Sequence, residues 1–262
     1  MTALSKSDFR DIKHFMQVLA SESSNLISRY FKKNLRIEAK ADNTPVTIAD
    51  RLTEERLRSI IEKEFPSHGI IGEEFGAKNE DAEFTWVLDP IDGTKSFISG
   101  AFDFGTLVAL LENGQPILGM INQPILKELM IGDGETTTLN EEVVHVRECK
   151  GLSEATLVTW DLHKVGDYQD AGGFNELVKQ VMSARTWGNC YGYALLASGF
   201  VDISLDPIMS PWDIMALIPI VRGAGGVITD YYGADPVKAK SIVAASPNLH
   251  SKVISILGKG DS

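Results

Sequence analysis

Between Ser7 and Phe31 the apolar residues Phe9, Ile12, Phe15, Met16, Leu19, Leu26, Ile27 and Tyr30 recur at helical spacing, which predicts an amphipathic helix. Ser5 and Asp8 offer a capping box just ahead of it. A second helix is expected from Asp50 to Phe65, with Leu52, Leu57, Ile60 and Ile61 inward and Pro66 as its stop. The pattern then shortens. Gly69 to Gly72 reads as a strand that delivers Glu73 and Glu74 at its end, and Phe84 to Leu88 as a strand that runs into Asp89. Gly105 to Leu111 and Pro116 to Ile121 are apolar runs joined through Asn113-Gly114, a strong hairpin signal.

The second half alternates. Strands are expected at Thr156 to Trp160, Val201 to Leu205, Val227 to Thr229 and Ile242 to Ala244. Helices are expected at Gly173 to Met182, at Tyr191 to Ser198, and after Pro247. Another should span Asp213 to Arg222 and end at Gly223-Ala224-Gly225-Gly226. Hairpins mixed with helices fit a layered α/β protein (mixed α+β) better than a doubly wound parallel sheet.

A chain of 262 residues can bury a large core without disulfides. Its two cysteines, Cys149 and Cys190, have no C-x-x-C spacing, so a reducing compartment is expected. Lys6, Asp8, Arg10, Asp11, Lys13 and His14 interrupt any apolar signal-peptide core, and no stretch of about 18 apolar residues occurs, so no membrane partner is expected and a cytoplasmic location is. The net charge of −11 argues against nucleic acid as a partner. By itself that charge is equally a solvated surface. It is compatible with a phosphate-bearing substrate if cations stand between the two.

The candidate chemistry lies at Trp86-Val87-Leu88-Asp89-Pro90-Ile91-Asp92-Gly93-Thr94. An apolar strand ends in two carboxylates whose spacing lets both face one point, and Pro90 fixes the turn between them. Gly93 admits a close ligand, and Thr94-Lys95-Ser96-Phe97 can open a short helix whose N–H groups face an anion. Taken alone, the segment is also an ordinary Asp-Gly turn. Asp50 after Thr47-Ile48-Ala49, and Asp213 after Pro211-Trp212, are each equally readable as helix caps. Should acids from such segments meet, oxygen ligands with no His or Cys would select a hard cation, and carboxylates so close would repel without one.

Together with Trp212-Asp213 and the glycine run at 223–226, this segment resembles the signature of the inositol monophosphatase superfamily, over nearly the whole chain from Asp42-Asn43-Thr44-Pro45-Val46-Thr47 to Ser246-Pro247. The resemblance implies an α/β/α/β/α sandwich and a magnesium-dependent hydrolase of small phosphate monoesters. It implies two or three Mg²⁺ ions held by Glu73, Asp89, the Ile91 carbonyl, Asp92 and Asp213. Asp50 and Thr94, with Glu73, would activate the attacking water, and the Gly93 and Thr94 amides would hold the phosphate. Residues 1–262 would form a single phosphatase domain, with a metal-binding half to about 145 and a substrate-facing half from about 146. A homodimer is implied as well.

Within the superfamily, Lys95-Ser96-Phe97-Ile98-Ser99-Gly100, Asn122-Gln123-Pro124-Ile125 and Arg185-Thr186-Trp187-Gly188-Asn189-Cys190-Tyr191 are similar to the histidinol-phosphate phosphatase branch. The alternatives are an inositol, other polyol or sugar phosphate, or a relative without activity. Substrate contacts would then fall to Asp92, Gly93, Thr94, Arg185, Asn189, Cys190, Asp206 and Asp213. Asn189 departs from the pattern, which carries Asp there. An amide can accept a hydrogen bond but lacks the charge for an ammonium, so Asn189→Asp is expected to tighten binding of a cationic substrate. Asp206 could supply that charge, or be a strand-end residue before Pro207. Cys190 reads as a packing residue at the pocket edge rather than a nucleophile.

Overall fold

A computed structural model describes residues 6–34, 36–39 and 45–258. The chain opens with α1 (Lys6–Tyr30), a small ladder of β1 (Glu38–Ala39) and β2 (Pro45–Val46), then α2 (Ile48–Glu64). Next come β3 (Gly69–Gly72), β4 (Gly76–Lys78), β5 (Phe84–Asp92) and the short α3 (Thr94–Ser99). β6 (Gly105–Glu112), β7 (Gln115–Gln123), β8 (Glu128–Gly132), β9 (Thr137–Leu139) and β10 (Glu142–Val143) complete an eight-stranded sheet of order β10-β9-β8-β7-β6-β5-β3-β4. The second half supplies β11 (Thr156–Val158), α4 (Ala171–Gln180), β12 (Ser183–Arg185), α5 (Asn189–Ala197) and β13 (Ile203–Asp206). It ends with α6 (Pro211–Ile214), α7 (Leu217–Gly223), β14 (Val227–Thr229), β15 (Ile242–Ala245) and α8 (Pro247–Leu257). Its five strands pair in the order β12-β11-β13-β15-β14.

Strand periodicity sorts the side chains into layers. From β5 and β6, Trp86, Leu88, Val108 and Leu110 face Met16 and Leu19 of α1 and Leu57 and Ile61 of α2. Their neighbours Val87, Leu107, Ala109 and Leu111 face the opposite way, onto Leu196 of α5, Ile214 of α6 and Val221 of α7. Those helices also cover Val158, Ile242 and Ala244 of the second sheet. The other face of that sheet, with Leu157, Ile203, Leu205 and Val243, packs on Phe174 and Leu177 of α4 and Leu249 and Val253 of α8. The layers therefore run α/β/α/β/α. Each fully buried Leu or Ile contributes about 1.5–3 kcal/mol by leaving water.

The hairpin signal holds: Asn113 and Gly114 both have positive φ, as a two-residue turn with the twist of its strands requires. Other boundaries differ from the sequence reading for physical reasons. β5 continues past Leu88 to Asp92, with a register shift between Asp89 and Asp92 where Pro90 has no N–H to give the ladder. The single helix expected at 213–222 is two, α6 and α7, because Pro219 cannot donate to the Met215 carbonyl one turn back. β4, β8, β9, β10 and β12 were not expected; most have only two or three residues, too few to show a period. The capping box at Ser5 and the Asp8 side chain lies outside the described residues, as do Asp42, Asn43 and Thr44. Among the described residues no helix is long and apolar enough to cross a membrane.

Candidate active site

Four local structures deliver acids to one cleft of ≈ 270 Å³ between the ends of the two sheets. The end of β5 supplies Asp89, Ile91 and Asp92, the turn after β3 supplies Glu73, and α3 opens with Gly93 and Thr94, all lining the cleft. From the second half come Asn189, Asp206 and Asp213. One oxygen each of Asp89, Asp92 and Asp213 lie within 4.8 Å of one another.

Both helix-borne acids are third residues of a capping box rather than caps, so part of each is committed to the backbone. Thr47 N–H and Oγ1 donate to Asp50 Oδ2 at 2.8 and 2.7 Å, and Ser210 N–H donates to Asp213 Oδ2 at 2.7 Å. The T-x-x-D and S-x-x-D spacings carried that signal. Asp50 does not line the cleft; it stands behind Thr94, whose Oγ1 is 3.2 Å from Asp50 Oδ1. Asp89 is folded onto its own turn, accepting the Ile91 N–H at 3.0 Å, and Pro90 O accepts from Thr106 Oγ1 at 2.9 Å. The Cys190 N–H, in the first turn of α5, donates to Asp92 Oδ2. Gly93 has φ of 85°, and a Cβ there would lie 2.9 Å from Asn189 Nδ2, so both its conformation and its neighbours require glycine.

Burial, with the charges of neighbouring acids, makes Asp89, Asp92 and Asp206 reluctant to ionise. Burial, then the carboxylates of Glu73, Asp92 and Asp213, push Asp89 well above the usual range. Burial raises Asp92 to about 6 despite the Cys190 N–H. Asp206 is pushed up to about 8, again chiefly by burial, although Trp160 N–H at 3.1 Å and Thr159 Oγ1 at 3.3 Å favour its anion. Burial also raises Asp50. Such a cluster fits a hard cation: Asp89, Asp92 and Asp213 offer only carboxylate oxygens, and a cation would relieve their repulsion. The Cys190 thiol is pushed well up by burial and by Asp92, so it stays protonated and packs against Gly105.

Two residues named from sequence are placed elsewhere. Arg185 ends β12, is exposed, and lies 5.9 Å from the Trp187 ring; neither its side chain nor that of Cys190 lines the cleft. Asn189 does line it, with positive φ, and its Nδ2 donates to the Asp103 carbonyl at 2.9 Å and Ser96 Oγ at 3.4 Å. Trp160 and Tyr168 form cleft wall that sequence reasoning missed. Trp160 looked like the last residue of a strand, and no local pattern marks either as facing a ligand. Lys95 Nζ sits 5.5 Å from the centroid of the Trp160 ring.

The model of the inositol monophosphatase family matches residues 9–261. The chloroplastic bifunctional phosphatase IMPL2 of Arabidopsis thaliana is 46% identical over 248 residues, 93% of this chain and 70% of that protein. A histidinol-phosphatase of Chlorobaculum parvum is 37% identical over 246 residues, 93% of this chain and 95% of that one. A solved inositol monophosphatase from Zymomonas mobilis, 37% identical, superposes with a TM-score of 0.85 over 97% of this chain and 99% of that one. The chain thus belongs to the inositol monophosphatase family and is a hydrolase of phosphate monoesters.

Proposed function

We propose that the chain hydrolyses histidinol phosphate to histidinol and phosphate, the step that yields histidinol in histidine biosynthesis, with Mg²⁺ as its metal. The observation that carries the choice of substrate is that Trp160 and Asp206 line the cleft side by side. The Trp160 ring already has an ammonium, that of Lys95, near its face, and Asp206 lies in the same cleft. An aromatic face and a buried carboxylate suit a leaving group with an ammonium and a flat imidazole. An inositol presents neither. The histidinol-phosphatase relative at 37% identity supports this reading, while the solved inositol monophosphatase at 37% keeps a polyol phosphate as the second one.

Glu73, Asp89, the Ile91 carbonyl, Asp92 and Asp213 would hold two or three Mg²⁺ ions, which supply neutralisation of phosphoryl charge and a lowered pKa for water. The chain's own part follows from the contacts. Thr94 Oγ1, donating to Asp50, can accept a hydrogen bond from the attacking water and pass a proton to Asp50. Burial makes Asp50 a better acceptor than an exposed Asp. The Gly93 and Thr94 N–H groups, at the start of α3, would hold the phosphate. Asp206 would ionise when an ammonium arrives. Residues 1–262 would act as one domain and as a homodimer, which light scattering tests.

The test is phosphate release by the purified protein with Mg²⁺, across histidinol phosphate, inositol phosphates and sugar phosphates. Histidinol phosphate should have the highest kcat/KM, and Trp160→Ala should raise its KM about fivefold while moving that of inositol 1-phosphate far less. A parent enzyme that prefers the inositol phosphate, with Trp160→Ala equally harmful to both, would remove the histidinol assignment.

A further inference from the structure

Glu54 has no place in the reading above, yet its side chain is fully buried on α2. A carboxylate taken out of water is costly unless its oxygens are satisfied. Here they are. Glu54 Oε2 accepts the Glu74 N–H at 2.7 Å. Glu54 Oε1 accepts the Phe75 N–H at 3.2 Å and Arg58 Nε at 2.7 Å. Arg58 Nη2 also donates to the Gly76 carbonyl. Two side chains one turn apart on α2 therefore grip three consecutive residues, Glu74 and Phe75 of the turn between β3 and β4 and Gly76 at the start of β4.

Gly72 makes this grip possible. A Cβ on it would lie 2.0 Å from Glu54 Oε1 and 2.7 Å from Arg58 Nη2. The gripped turn begins at Glu73, whose own N–H donates to the Leu88 carbonyl at 3.2 Å and whose carboxylate acts on Asp89. Glu73 is thus held by β5 directly, and its neighbour Glu74 is held by α2. An ordinary surface pair at this helix spacing would need neither the burial nor the glycine.

We infer that Glu54, with Arg58, is a positioning residue that fixes the turn at 73–75 so that the Glu73 carboxylate meets Asp89. The same helix presents Asp50 in its first turn and Glu54 one turn later, so α2 sets the place of the proton acceptor relative to the cation-binding acids. This inference rests on Glu73 being a metal ligand.

Glu54→Gln keeps the size of the side chain but puts an NH₂ where one oxygen accepted. Outer partners of metal ligands typically change affinity 10–100-fold. We expect Mg²⁺ affinity, measured by calorimetry on the substrate-free protein, to fall about tenfold. The Mg²⁺ concentration for half-maximal activity should rise in parallel, with a far smaller change in substrate KM at saturating Mg²⁺. The Glu74 and Phe75 amides should lose hydrogen-exchange protection while the centre of α2 keeps its own. Gly72→Ala keeps both Glu54 and Arg58 in the sequence but pushes their side chains off the turn, and should show the same loss; it decides the matter if Glu54→Gln does not fold. Glu73→Gln is measured beside them. Weaker Mg²⁺ binding in Glu73→Gln, but parental binding in both other variants, overturns the positioning role and leaves the site intact. Unchanged Mg²⁺ binding in Glu73→Gln overturns the ligand reading of Glu73, and the inference with it.

Discussion

Thr94 Oγ1 lies 3.2 Å from Asp50 Oδ1 and 3.0 Å from the Ile91 carbonyl oxygen. A hydroxyl has one proton, so it serves one of these acceptors at a time. Asp50 Oδ2 is taken by Thr47, which leaves Oδ1 as the oxygen that meets Thr94. With the proton turned to Asp50, the Thr94 lone pairs can accept a hydrogen bond from a water. Thr94→Ala should therefore lower kcat by about 10²–10⁴ with a smaller change in KM, and Thr94→Ser should restore most of it. Steady-state kinetics decide it. An effect confined to KM would limit Thr94 to phosphate binding.

Asp92 and Asp213 each use one oxygen on a backbone N–H, from Cys190 and Ser210. Asparagine can accept the same bonds, so Asp92→Asn and Asp213→Asn should keep the fold. Each should abolish most activity, and chelation of Mg²⁺ should do the same to the parent. With one charge fewer in a repelling group, each variant should melt no lower than the parent in metal-free buffer. Near-normal turnover in both variants would place the metal elsewhere.

Asp206 gives a pH signature. Its folded value of about 8 stands above its ordinary 3.8, because burial outweighs the donors around it. The folded protein thus holds this proton more tightly than the unfolded chain does. Below the lower value both states are protonated and there is no effect. Stability is then lost progressively as pH rises through the window to about 8, and the loss is constant above it. Asp206→Asn has no such proton to lose. In metal-free buffer its stability relative to the parent should rise between pH 5 and pH 9, read from urea midpoints. A difference that does not vary with pH would mean that Asp206 titrates as an ordinary carboxylate.

At Asn189 the hydrogen bonds argue for a different outcome from the one expected from sequence. A carboxylate there looked like the better partner for an ammonium. The amide nitrogen, however, donates to the Asp103 carbonyl and Ser96 Oγ, and aspartate has no such donor. Asn189→Asp should cost about 1–3 kcal/mol by leaving that carbonyl facing an acceptor. It should not lower KM for histidinol phosphate. Denaturation midpoints and KM measured together test this; a lower KM at full stability would show that the new carboxylate turns to the substrate.

Periodicity made α1, α2, α8 and the β6–β7 hairpin legible, since each buries one face or turns on one dipeptide. The edge strands β10 and β12 were not, because two or three residues hold no period. Asp89 and Asp92 were legible as a pair because one strand end presents both. Glu73, Asp50 and Asp213 could be tied to them only through the family's signature, since nothing local says which helix start meets which strand end.

By itself, then, the sequence determined the Asp89 and Asp92 pair, the turn that exposes it, and the layered α/β class, all of which depend on spacing along the chain. Only the tertiary structure decided what stands across the cleft. It set Trp160 and Tyr168 in the wall, turned Arg185 to the surface, and bound Asn189 to Asp103, 86 residues earlier. Those relations depend on how the ends of two separate sheets approach one another. That approach is fixed by the packing of α5, α6 and α7 between them, a sum over many buried contacts that no short stretch of sequence contains.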